Sequence, residues 1–167
     1  MKNVKNFLAI ASLAAGMFIM NACTDPCKDV TCLNGGVCDE GDCICATGYE
    51  GTDCATESRT KFIGSYEFID GCYPGINNTA NISTSAEGVT KVNISNILGD
   101  DLGGSAKATI DGSKITIASQ QVMDKDNDPW TVEGKSTGTF ANNAFSISMQ
   151  ITYGTSSQSC LFSFTKK

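Results

Sequence analysis

Nine cysteines, no histidine and a single arginine set the limits on what chemistry this sequence can do. Without imidazole there is no histidine base and no histidine-ligated metal, and Arg59 alone cannot build an arginine-rich phosphate clamp. Serines are plentiful but have no base to activate them, so no nucleophile constellation forms. Carboxylates remain. Asp124, Asp126 and Asp128 alternate in one short stretch, a pattern that hard, oxygen-ligated cations such as calcium can use. Pro129-Trp130 stands where an EF-hand loop would continue, and the plain alternative is a solvated hairpin turn. Glu67 and Asp70 could pair with Glu133 as the acid and base of a glycan hydrolase, but nothing in the spacing demands it and scattered surface carboxylates are the usual explanation. Trp130, the lone tryptophan, and Tyr66 are candidate ligand contacts. No cofactor-binding motif is present.

Charge narrows the partners. The 167 residues carry 12 basic and 18 acidic groups, and loss of a leader containing Lys2 and Lys5 leaves 10 against 18. Nucleic acid is therefore not an expected partner, because it needs a basic face. The acidity is concentrated early: residues 24–56 hold one lysine and seven acids.

The start of the chain reads as a delivery segment. Residues 1–22 combine a basic start with the apolar run Phe7 to Met20, short for a membrane span but suited to a secretory signal. Met20-Asn21-Ala22-Cys23 follows, and it resembles the processing site of bacterial lipoproteins, in the looser form found in Bacteroidota. That resemblance implies acylation of Cys23, a tether over residues 23–26, and attachment to the cell envelope at the outer membrane, on its periplasmic or outer face. Cysteine arithmetic agrees, since setting Cys23 aside leaves eight that can pair completely. The alternative is a simple cleaved signal with Cys23 as a half-cystine.

Residues 27–54 hold six cysteines. A segment this short cannot bury enough apolar surface to offset its chain entropy, so crosslinks of roughly 2–4 kcal/mol each must order it. That requires an oxidising compartment. The run Cys43-Ile44-Cys45-Ala46-Thr47-Gly48-Tyr49-Glu50-Gly51-Thr52-Asp53-Cys54 resembles the end of an epidermal-growth-factor-like (EGF-like) module. The resemblance implies the pairs Cys27–Cys38, Cys32–Cys43 and Cys45–Cys54. It implies spacing or protein contact as the module's role. The acidic and amide cluster of calcium-binding members is missing before Cys27.

After a polar joint at residues 55–60 the composition changes to Ser, Thr, Asn, Ile, Val and Phe, punctuated by Gly and Asp at intervals of about ten residues, which predicts an all-β meander over 61–167. Eight strands are expected: Lys61–Asp70, Thr79–Ser85, Val89–Leu98, Ser105–Asp111, Lys114–Val122, Trp130–Phe140, Ala144–Tyr153 and Gln158–Thr165. The seventh is clearest, with Phe145, Ile147, Met149, Ile151 and Tyr153 on one face and polar residues on the other. Asn-x-Ser/Thr triplets at Asn77, Asn81 and Asn93 are read as turn and strand polar residues.

Such strands close into a barrel or pack as a sandwich. The two last cysteines favour the barrel: if Cys72, after the first strand, faces Cys160 in the last, the same register sets Asp70 opposite Phe162 and Phe68 opposite Phe164. Phe62-Ile63-Gly64-Ser65-Tyr66 resembles the opening strand of lipocalin-like (calycin) barrels, with Tyr66 in place of the tryptophan and without an arginine to close the base. The expected function is non-enzymatic binding of a small apolar ligand or of an envelope protein or polysaccharide. A structural or adhesive surface protein is the alternative, and a carboxylate hydrolase the third reading.

Overall fold

The computed structural model describes residues 25–167; the expected leader at residues 1–22 and the expected acylation site Cys23 lie outside the described residues. The chain is all-β. Two small hairpin-like pairings come first: β1 (Val37–Asp39) with β2 (Asp42–Ile44), and β3 (Tyr49–Glu50) with β4 (Thr56–Glu57). Eight strands then close into one antiparallel barrel: β5 (Gly64–Asp70), β6 (Asn77–Thr84), β7 (Lys91–Ser95), β8 (Ser105–Asp111), β9 (Lys114–Met123), β10 (Pro129–Ser136), β11 (Ala144–Tyr153) and β12 (Ser156–Lys166). Each pairs with its neighbour in sequence, and β12 returns to β5. Closure removes the free edges that a sheet of this length would otherwise expose.

The closing seam has the expected register. Phe162 lies opposite Asp70 and Phe164 opposite Phe68, and Cys72 is bonded to Cys160 just beyond that pairing. Alternation along each strand sends one residue in two to the interior, as in Phe145, Ile147 and Met149 of β11 or Ala106, Ala108 and Ile110 of β8. Large residues cluster on β5, β11 and β12 and small ones on β6 and β8, so the two sides of the barrel fill one another's space. Phe145 and Phe164 stack 4.8 Å apart, and Phe68 stacks on Phe164 at 4.9 Å. At Gly134, β10 lies directly against core residues of β11: a Cβ there would stand 2.7 Å from Ile147 Cγ2 and 2.8 Å from Met149 Cγ.

One end of the barrel is plugged. A 3-10 turn, Ser58–Phe62, occupies the place where the first strand was expected to begin, and it buries Phe62 against Phe145 at 5.5 Å and Phe140 at 4.9 Å. Phe140 reaches that position because β10 stops at Ser136 rather than continuing to Phe140. Tyr66 completes the plug, with its hydroxyl donating to the Phe62 carbonyl at 2.9 Å. The expected absence of an arginine here is corrected. Arg59, carried by the 3-10 turn, donates from Nη1 to the carbonyls of Ser85, Gly88 and Lys91 at 2.9, 2.8 and 3.0 Å, and from Nε to Glu57 at 2.8 Å. It thereby braces the β6–β7 turn, adding a charged donor to the Gly88 and Lys91 carbonyls, which also accept from the Lys91 and Ser85 N–H groups.

The cysteine-rich segment is held by Cys27–Cys38, Cys32–Cys43 and Cys45–Cys54, the pairs that the resemblance implied. It sits on the plugged end. Ser58 N–H donates to the Gly48 carbonyl at 2.8 Å, Lys61 pairs with Glu50 at 2.6 Å, and Gly48 lies against Val89 and Thr90 so closely that a Cβ would stand 2.6 Å from Val89 Cγ1. Tyr49 is half-buried in the β3–β4 pairing with Glu57 opposite.

Candidate functional site

The opposite end of the barrel is open and holds a cavity of about 470 Å³. Its wall is built from strand ends whose inward alternation continues upward past the filled core: Asp70 of β5, Asn78 of β6, Trp130 of β10, Ile151 and Tyr153 of β11, and Gln158 and Cys160 of β12. Loops supply the rest, with Tyr73 and Ile76 after β5 and Leu98, Gly99, Asp101 and Leu102 between β7 and β8. The lining is mainly apolar with a few polar groups, and its volume falls within the roughly 300–1,000 Å³ of small-molecule sites. The aromatic packing below accounts for the floor: once Phe68, Phe162 and Phe164 fill the middle of the barrel, space remains only above them.

Two hydrogen-bond networks shape the mouth. In the β9–β10 loop, Asp124 accepts from the backbone N–H groups of Asp126 and Asp128 at 3.0 and 2.8 Å and from the Trp130 indole N–H at 3.0 Å. These donors, the indole first, hold its carboxyl below the usual carboxylate range. The indole is thereby fixed in orientation and stacks on Tyr153 at 4.5 Å, 27° from parallel. In the β7–β8 loop, Asp100 accepts from the hydroxyl and the backbone N–H of Thr79 at 2.8 and 3.0 Å and from Asn96, and these bonds, the Thr79 hydroxyl first, hold its carboxyl low as well. Lys125 N–H donates to the Leu102 carbonyl at 2.8 Å and ties the two loops together. Gly99, at φ +91°, lets the β7–β8 loop lie against Asn78; a Cβ would stand 2.8 Å from Asn78 Oδ1.

The residues singled out from sequence separate here. Trp130 lines the cavity. Tyr66 does not: it is fully buried at the plugged end, where burial pushes its phenol up to about 12, so the expectation of a ligand contact is corrected to a core role. Asp124, Asp126 and Asp128, weighed as a candidate cation site against a solvated hairpin turn, form a turn in which the Asp124 N–H donates to the Asp128 carbonyl at 3.0 Å. Asp124 is committed to the loop's own N–H groups and to Trp130. Among the described residues the one trio of His, Cys, Asp or Glu ligand atoms lying within 4.8 Å of one another is Asp70, Cys72 and Cys160, whose sulfurs are spent in the disulfide. Nor do Glu67, Asp70 and Glu133 meet. Glu67 points outward and pairs with Lys167 at 3.1 Å, Glu133 is exposed on β10, and Asp70 has inward parity.

Sequence reasoning missed Asn78, Asp101, Leu98, Ile76 and Tyr73. Asn78 and Tyr153 were reachable in principle, as the last inward positions of their alternating strands. The loop residues carry no such signal. Comparison with known proteins returns no match to any family model, any curated protein or any solved structure.

Proposed function

We propose that the protein is a non-enzymatic binding module of the bacterial cell envelope, tethered through a lipid on Cys23 and taking a small, largely apolar molecule into the mouth of its barrel. The observation that carries this reading is the 470 Å³ cavity with its pre-set Trp130–Tyr153 wall, since an aromatic surface already locked in place costs little entropy on binding. The absence of histidine and the separation of Glu67 from Asp70 and Glu133 support a binding role over hydrolysis. The cysteine-rich, EGF-like segment occupies the plugged end, opposite the mouth, and leaves the mouth uncovered.

Native mass spectrometry of the full mature chain, purified from its own envelope fraction, tests the reading. A mass excess lost on denaturation, together with lipid on Cys23, is expected. An apo mass, with no ligand captured from an envelope extract, refutes the binding role. One observation favours protein contact as a second role: Val37 and Ile44, directly opposite each other in the β1–β2 hairpin, are 66% and 61% exposed, which is the kind of apolar surface a partner would cover.

A further inference from the structure

The cavity's chemistry narrows its ligand beyond "apolar". Its lining contains two carboxylates, Asp70 and Asp101, and neither a lysine nor an arginine. Asp70 uses one oxygen to accept from the Cys72 backbone N–H at 2.8 Å; its second oxygen has no partner among the described residues. Asn78 is 8% exposed, and its Oδ1 accepts from the Asp100 N–H at 3.0 Å, while its Nδ2 hydrogens have no acceptor among the described residues. That amide is not sealed off, because no buried side-chain nitrogen or oxygen among the described residues lacks a partner; it opens on the cavity it lines. An accessible amide donor without a protein acceptor is free to meet a ligand oxygen or water.

These groups fit one kind of molecule. An aromatic wall attracts a cation held over its ring faces, a free carboxylate oxygen attracts the same charge, and the Asn78 amide donates to an oxygen close by. A carboxylate or phosphate headgroup would face two like charges with no cation to offset them. Building on the binding role proposed above, we infer that the mouth takes a cationic amphiphile, an organic ammonium compound with a carbonyl or ester oxygen and an apolar body, and discriminates against anionic lipids and fatty acids. Asp70 sets the charge preference, Asn78 receives the oxygen, and Leu98, Ile76 and Ile151 receive the apolar body.

Because Trp130 is the only tryptophan and stands in the cavity wall, its fluorescence reports occupancy without a label. The experiment titrates the full mature chain with decanoylcholine, methyl decanoate and decanoate, which share one acyl body and differ in charge. Decanoylcholine is expected to bind at least about tenfold more tightly than decanoate, a difference of about 1.4 kcal/mol. Asp70→Asn keeps the acceptor for the Cys72 N–H and is expected to erase most of that preference, bringing the affinity for decanoylcholine to within about threefold of that for methyl decanoate measured on the same variant. A wild-type measurement stands independently of the variant: raising ionic strength from about 0.01 to 0.15 M shortens the screening length from roughly 30 to 8 Å and should shrink the ratio. Equal or tighter binding of decanoate, or a preference that survives both Asp70→Asn and added salt, overturns the charge assignment. If methyl decanoate quenches as strongly as the choline ester, the ligand class is wrong but the cavity still binds. If none of the three quenches, the binding role falls with it.

Discussion

Replacing Cys72 and Cys160 together by serine isolates the energetics of the closing seam. The bond closes a loop of 88 residues, and the loop-closure relation gives roughly 4–5 kcal/mol of stabilisation for a loop of that length, acting on the unfolded chain. The 9-residue loop of Cys45–Cys54 gives only about 2–3 kcal/mol by the same relation. In the folded state little else should change. Phe162 and Phe164 remain paired with Asp70 and Phe68, and Phe68 stays stacked between them at 5.6 and 4.9 Å. With a urea slope of roughly 1–3 kcal/mol per molar for a small protein, a loss of about 4 kcal/mol lowers the midpoint by about 2 M. Urea denaturation under non-reducing conditions, followed by far-UV and near-UV circular dichroism, measures this. The near-UV aromatic signal of the folded variant should match the parent. A midpoint shift under about 0.5 M refutes the chain-entropy account. A lost near-UV signal refutes it differently, by showing that the bond holds the native seam and not the unfolded ensemble.

On the acid side, the Asp124 carboxyl lies below its ordinary value of 3.8, so its hold on Trp130 is complete at neutral pH and is lost only as pH falls below that value. Trp130 fluorescence should stay constant down to about pH 4 and change beneath it, and Asp124→Asn should abolish that step; a transition centred above pH 4 contradicts the assignment. On the alkaline side, Tyr66 titrates near 12, against an ordinary 10.0. Its contribution is therefore full below pH 10 and lost as pH rises through 12, and ultraviolet titration of the four tyrosines should show one lagging the others. Arg59→Lys should lower stability by about 2 kcal/mol, because an ammonium cannot hold three carbonyls and Glu57 in one planar fork. Thermal denaturation matching the parent within about 0.5 kcal/mol would show that the β6–β7 turn does not depend on it.

Alternation along the chain was sufficient to specify an all-β domain, its eight strands and most of its interior, because period-two burial is a local property: Phe145, Ile147 and Met149 can face only one way in an extended chain. Closure was legible for a related reason. A disulfide between Cys72 and Cys160 fixes one register, and that register aligns aromatic residues of the same parity. Where strand ends were misread, tertiary packing had overridden local pattern. Val89–Leu98 shortened to Lys91–Ser95 because Asn96 turns with φ +62° to let its amide reach Asp100 and the Thr79 carbonyl. The expected start at Lys61 became a 3-10 turn because Phe62 is needed as a plug.

The cysteine framework, the acidic balance and the candidate Trp130 were thus properties of the sequence itself. The site was not. Tyr66 and Trp130 are both aromatic, inward-facing residues near a strand terminus, and nothing local says that one fills the floor and the other lines the mouth. That depends on which end of the barrel the bulky residues of β5, β11 and β12 fill, a sum over strands far apart in the chain. The meeting of Asp70 and Asn78 with the Trp130–Tyr153 wall in one cavity, and the placement of the cysteine-rich segment on the opposite end, exist only once closure has brought β5, β6, β10, β11 and β12 around a common axis. Local alternation decides which way a side chain points, and only tertiary structure decides what it meets there.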